Sequence, residues 1–258
     1  MTFPPEGTSM SASRFRSLRS ILFFTAAVLA SPITSLTQSD SKGIKSNYVV
    51  SVQELRMAGK GHAAFEKGSR LLEKGDPTGS LPYLEKAIAQ FPEHYLAYYD
   101  LGVAHSRLGH TADAEQAFQK AIDLTKGNFA LPQFGLGAIL CQKAEFTQAE
   151  ALLQRAVDLE PGSPVGKYYL GWAQFGLNRL IAAERSLEQA LLRNANFAQA
   201  YLLLANIHVH QRKLPAAAND LESYLKLDPR NEQAKSLAEQ IHREMERQTA
   251  AMVATAQP

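Results

Sequence analysis

Two histidines, His208 and His210, a lone thiol, Cys141, and a Gly59-Lys60-Gly61 triplet are the places where this 258-residue chain could hold a metal, attack an electrophile or cradle a phosphate. None carries the rest of the pattern that its chemistry needs. Residues two apart on a helix point to different faces, so His208 and His210 cannot share one ion. A phosphate loop requires a further glycine and a hydroxyl after a strand, and residues 59–61 offer neither. Cys141 has no neighbouring signature of a nucleophile and reads as a small buried or surface thiol. Glu145, Glu150 and Asp158 fall on solvated helix faces. The expectation is a chain without catalytic residues, metal or cofactor.

The elements that carry these residues are helical and periodic. From about residue 53 onward, Pro92, Pro161 and Pro229 punctuate the chain, with Lys126 and Ala195 completing a series at intervals of 34, 35, 34 and 34 residues. Gly68, Gly102, Gly137, Gly171 and Ala205 keep the same intervals. So do Ser80, Ala114, Ala149, Ala183 and Ala217, each followed four residues later by Leu or Phe. Three series in step over five periods mean one structural unit repeated five times.

Local packing supplies the reason. Spacings of four and three place Ala114, Phe118 and Ala121 on one helical face. Alanine lets a partner helix come close while Phe118 fills the remaining gap. Glycine in a helix interior costs about 1 kcal/mol against alanine, so Gly102 and its counterparts ask for a compensating close contact. One such helix pair cannot bury its apolar face alone, but stacked pairs share a continuous core.

Over residues 61–231 this pattern resembles the tetratricopeptide repeat, a 34-residue helix–turn–helix unit. The resemblance implies an all-α, right-handed α-solenoid of about five helix-turn-helix repeats, at 61–94, 95–129, 130–163, 164–197 and 198–231, within an array beginning near residue 53. The second unit carries one extra residue near 127–129, and the fifth has Tyr224 where alanine stands elsewhere. Ala234, Leu237, Ile241 and Met245 make a narrow apolar stripe after Pro229, so residues 232–249 read as a C-terminal capping helix and 250–258 as a disordered tail.

In such arrays the first helices line a concave surface, and the resemblance places there Tyr99, Val103, Arg107, Phe134, Tyr168, Trp172, Phe175 and Asn206. Aromatic side chains are favoured anchors of binding surfaces, although in many such arrays this aromatic column also packs neighbouring units together. Polar groups are scattered among these positions, which disfavours a clamp for a peptide carboxylate and favours an apolar or mixed peptide segment. The expected role is a non-catalytic scaffold whose partner is a protein or peptide. A second expectation is an assembly component of a cell-envelope complex that binds through its convex or terminal surfaces.

Residues 1–30 read as an export signal: Arg14, Arg16 and Arg19 precede the apolar run 21–30, and a cleavage site falls near Ala30. That run is half of the roughly 20 residues a bilayer span needs, so a periplasmic or secreted protein with no stable membrane span is expected. An uncleaved signal anchor is the alternative. Residues 31–52, rich in Ser and Thr, read as a flexible linker. The single cysteine rules out an intrachain disulfide. The first thirty residues hold three of the 27 basic residues and one of the 25 acidic ones, leaving 24 of each in the rest. A balanced body of this kind lacks the basic footprint of a nucleic-acid binder.

Overall fold

The computed structural model describes residues 61–255. The expected signal, the linker and the start of the array up to residue 60 lie outside the described residues, as does the end of the tail. Among the described residues all regular structure is helical, in eleven helices. These are α1 (His62–Glu73), α2 (Pro77–Gln90), α3 (Tyr95–Arg107), α4 (Thr111–Leu124), α5 (Ala130–Gln142), α6 (Phe146–Leu159), α7 (Pro164–Gly176), α8 (Leu180–Arg193), α9 (Ala198–His210), α10 (Leu214–Leu227) and α11 (Glu232–Thr255). The contacts divide them into two units, residues 61–200 and residues 201–255.

In residues 61–200 four hairpins follow one another, each helix packing on the next in the chain and each first helix on the first helix of the following hairpin. The recurring small residues form the interior. Ala114, Ala149 and Ala183 are fully buried, as are Ala87, Ala121, Ala156 and Ala190. Leu84, Phe118, Leu153 and Leu187 fill the space between them at 0–1% exposure. Phe118 shows why glycine recurs. A Cβ at Gly102 would lie 2.6 Å from its ring, and a Cβ at Gly135, in the next hairpin, would lie equally close. One ring is seated in a slot cut from two repeats.

Each hairpin turns in the same way, through a residue in the left-handed region: Gly75, Gly109, Ala144 and Asn178, and in the second unit Arg212. The amide of the following residue reaches back to a carbonyl of the first helix. His110 N–H donates to His105 C=O at 2.9 Å, Glu145 N–H to Leu140 C=O at 2.9 Å and Arg179 N–H to Gln174 C=O at 2.8 Å. This six-to-one bond satisfies a carbonyl that the helix end leaves open. The next helix starts on a side-chain cap in some units: Asp76 accepts from Gly79 N–H at 2.8 Å, and Ser163 from Gly166 N–H at 3.2 Å. The extra residue of the second repeat lies in the turn after α4. There Lys126 and Gly127 are left-handed, and buried Gln133 donates to the carbonyls of Gly127 and Phe129.

In the second unit α9 and α10 are joined by the Lys213 N–H bond to the His208 carbonyl and by the His208–Asp220 pair, and α11 packs on α10. Ala217, Leu221 and Tyr224 are buried there, and Ala234, Leu237 and Ile241 bury the stripe of α11. The Tyr224 hydroxyl donates to Asp228 and accepts from Asn231, whose carboxamide oxygen in turn caps α11 at Ala234 N–H. The helix runs on to Thr255, so residues 250–255, expected as part of a disordered tail, are helical. Three alanines in that stretch, at 250, 251 and 254, give it strong intrinsic helix propensity.

Candidate protein-binding face

The first helix of each hairpin has more apolar side chains than its own partner helix can cover, and the structure shows where they go. The aromatic column packs forward onto the following unit. The Phe65 ring lies 4.4 Å from that of His94, Tyr99 lies 5.7 Å from Phe129, and Tyr168 lies 5.0 Å from Phe197, centroid to centroid. Each pair joins a first helix to the residue just before the next first helix. Phe134 packs on the backbone of Gly166 and is 3% exposed. Trp172 stacks on Tyr169 at 6.1 Å and retains 8% exposure, and Tyr168 beside it retains 6%.

The eight residues that the sequence places on the binding face therefore have different settings. Val103, Phe134, Tyr168, Trp172 and Asn206 are buried. Tyr99, Arg107 and Phe175 are half-buried. Tyr168 and Trp172 touch each other, with ring centroids 6.4 Å apart. Tyr99, Val103 and Arg107 lie at successive intervals of four along α3, on one face. Asn206 belongs to the unit 201–255, where both polar atoms of its buried carboxamide lack a hydrogen-bond partner.

A polar cluster adjoins the α3 face. Ser69 donates its hydroxyl to Asp100, and Arg107 donates from Nη1 to the carbonyl of Leu72 at 2.5 Å, tying the end of α3 to the end of α1. The Arg107 Nε–H is buried with no partner. Burial raises the Asp100 carboxyl from its ordinary 3.8 to about 6; the Ser69 bond and the Arg107 charge oppose the rise, and Glu73 adds to it. Asp100 was missed in the sequence, and its signal was the single acid of α3, set between Tyr99 and Leu101.

The remaining chemical candidates have local settings. Cys141 is buried, its sulfur 3.8 Å from the Tyr169 carbonyl, and burial pushes its thiol up to about 12, far from the thiolate that a nucleophile needs. His208 pairs through Nδ1 with Asp220 at 2.5 Å. A second histidine pair, His105 and His110, sits at the α3–α4 turn and was not singled out in the sequence. Its two members are joined across the turn rather than along one helix.

The sequence pattern of the tetratricopeptide repeat matches residues 65–129, and a second pattern of the same description matches residues 140–207, together just over half of the chain. No curated protein matches. Among solved structures, MamA from Desulfovibrio magneticus RS-1 is 21% identical, with a TM-score of 0.57 over 67% of this chain and 97% of that one. PilF of Pseudomonas aeruginosa is 20% identical, with a TM-score of 0.63 over 74% and 87%. YrrB, described as a repeat protein of this class with an unusual peptide-binding site, is 17% identical, with a TM-score of 0.55 over 72% and 94%. At these identities the likeness is one of fold.

Proposed function

Because the chain belongs to the tetratricopeptide-repeat family, we propose that it is a non-catalytic scaffold that captures a segment of a protein partner on the first-helix face of residues 61–200. The observation that carries this reading is the α3 face. Tyr99 and Arg107 keep part of their surface eight residues apart, two helical turns, with Val103 between them. Such a face offers an aromatic ring and a guanidinium donor to one extended or helical segment. Phe175, half-buried on α7, offers the same kind of surface there.

The export signal read in residues 1–30 places this activity outside the cytoplasm, in the periplasm or secreted, or tethered if the signal is retained. Among the described residues no helix is long and apolar enough to cross a membrane. Peptides selected from a displayed library against the full chain test the reading. Arg107→Glu and Tyr99→Ala should abolish their binding with the helices retained, although each should melt somewhat below wild type because Arg107 also bonds the Leu72 carbonyl and Tyr99 also packs on Phe129.

A second reading has its own observation. Ile181 and Leu192 on α8, a second helix, are 74% and 83% exposed. Eleven residues apart, they share one face, an apolar pair suited to assembly through the outer side. If Ile181→Ser with Leu192→Ser abolishes partner binding and Arg107→Glu does not, the outer face is the docking surface.

A further inference from the structure

The turn between α3 and α4 gathers three potential ligands that no other hairpin among the described residues repeats. His105 lies in the last turn of α3, His110 is the residue before α4, and Asp113 is in the first turn of α4. The backbone brings the two imidazoles together. Left-handed Gly109 reverses the chain, and the His110 N–H bond to the His105 carbonyl at 2.9 Å fixes their α-carbons side by side. The equivalent backbone bond joins Leu140 to Glu145 and Gln174 to Arg179 in the next two hairpins. Neither of those pairs supplies two donors to a metal. The frame is general and the ligand set is particular to the second repeat.

The side chains then converge. His110 occupies a helix-capping position, yet its ring makes no capping bond. It turns toward His105, and the two Nδ1 atoms stand 3.4 Å apart. An Asp113 carboxylate oxygen lies 4.0 Å from His105 Nδ1, and the three ligand atoms all fall within 4.8 Å of one another. Zinc–nitrogen bonds of about 2.0–2.1 Å in a tetrahedron put neighbouring ligand atoms about 3.4 Å apart. The imidazole pair already has that separation. The exposed Asp113 side chain reaches it by rotation about its own bonds. The His105 side chain is 15% exposed and that of Asp113 60%, so the site opens to solvent on one side.

We propose that His105 Nδ1, His110 Nδ1 and an Asp113 carboxylate oxygen bind a divalent late first-row transition ion of the zinc class. Two neutral imidazoles and a carboxylate match the donor preference of such ions. Both rings ligate through Nδ1, so both carry their proton on Nε2, and binding releases any proton held between them. Three protein ligands leave a fourth position for water or for a donor group of a bound partner.

The test uses the full chain without a purification tag, stripped with chelator and titrated with Co²⁺, with Zn²⁺ as competitor. One equivalent of Co²⁺ should give ligand-field absorption that Zn²⁺ abolishes, and Zn²⁺ should raise the melting temperature. His110→Ala and Asp113→Asn should each weaken binding at least about tenfold, since loss even of an outer-shell partner costs that much. His242→Ala, on α11, should leave binding unchanged. His110 and Asp113 are both exposed, so circular dichroism should report unaltered helicity in either variant; if His110→Ala does lose helicity, Asp113→Asn alone decides. Wild-type affinity retained in the deciding variants, or absence of a one-equivalent site in the wild type, overturns the proposal and leaves the two rings sharing a hydrogen bond only.

Discussion

The Tyr168 ring lies 5.0 Å from that of Phe197, joining the first helix of the fourth repeat to the residue just before α9. With Trp172 and Tyr169 against it, Tyr168 is a packing residue whose hydroxyl-bearing ring is almost wholly enclosed. Truncation should therefore register as lost stability before lost binding. Tyr168→Ala and Trp172→Ala are each expected to cost about 3–5 kcal/mol in chemical denaturation, as for other buried aromatics. Phe175→Ala, at a half-buried site, should cost clearly less.

Phe118 sets a second expectation. Alanine is the better helix former, so Gly102→Ala and Gly135→Ala should each gain about 1 kcal/mol on propensity alone. Both would place a methyl 2.6 Å from the Phe118 ring. Overpacking of this kind costs about 1–3 kcal/mol, so both variants should melt below wild type. Adding Phe118→Leu to either should recover part of the loss, which identifies the ring as the obstacle.

The left-handed turn residues point the other way. Ala144 and Arg212 adopt φ near +59° at exposed positions where two other hairpins use glycine. A side chain in that conformation costs about 1 kcal/mol or more. Ala144→Gly and Arg212→Gly should therefore raise stability by about 0.5–1 kcal/mol, and Gly109→Ala should lower it by a similar amount. Thermal melts of the three single variants check all three signs.

His94 and Asp100 pull the acid range in opposite directions. Burial, helped by the charge of nearby His62, lowers the His94 imidazole from 6.5 to about 4, and its Nδ1 accepts the capping bond from Ala97 N–H at 3.2 Å. The unfolded chain binds that proton more readily, so the His94 contribution is full above pH 6.5 and is lost as pH falls toward 4. Asp100 has a raised value, so the folded state binds the proton more readily and stability falls as pH rises from about 4 to about 6. In denaturation between pH 4 and 6.5, His94→Asn should flatten the rise of stability with pH. Asp100→Asn should steepen it.

Asn206 has a buried carboxamide without hydrogen-bond partners. Leaving such a group unsatisfied costs about 1–3 kcal/mol. Asn206→Leu should raise the denaturation midpoint, and a lower midpoint would mean that the carboxamide is satisfied in solution.

Much of this architecture is legible in residue spacing. Ala114, Phe118 and Ala121 state their common face by separation alone, because a helix converts spacing of three and four into adjacency. The single glycines mark close approach for the same reason. The binding face is less legible. The spacing that puts Tyr99, Phe134 and Tyr168 in one column is the same whether the column meets a partner or the next repeat. Only the three-dimensional position of Phe129, Gly166 and Phe197 shows that these rings turn toward their neighbours. The pairing of His105 with His110 is hidden for a related reason. Five residues apart is not a helical neighbour spacing, and the turn that joins them is fixed by backbone conformation, which Gly109 hints at and Ala144 or Arg212 would not.

The ring of Phe118, seated between Gly102 and Gly135, belongs to two repeats at once, and this bears on modularity. A shortened protein ending after the second repeat would leave half of that slot open to water and uncover a phenyl face. One beginning at the third would leave Gly135 and its surroundings as an unfilled notch. The boundary drawn by the 34-residue period is thus a bookmark in the text rather than a seam in the material. Transplanting the second repeat into another array would require carrying Gly135 along with it.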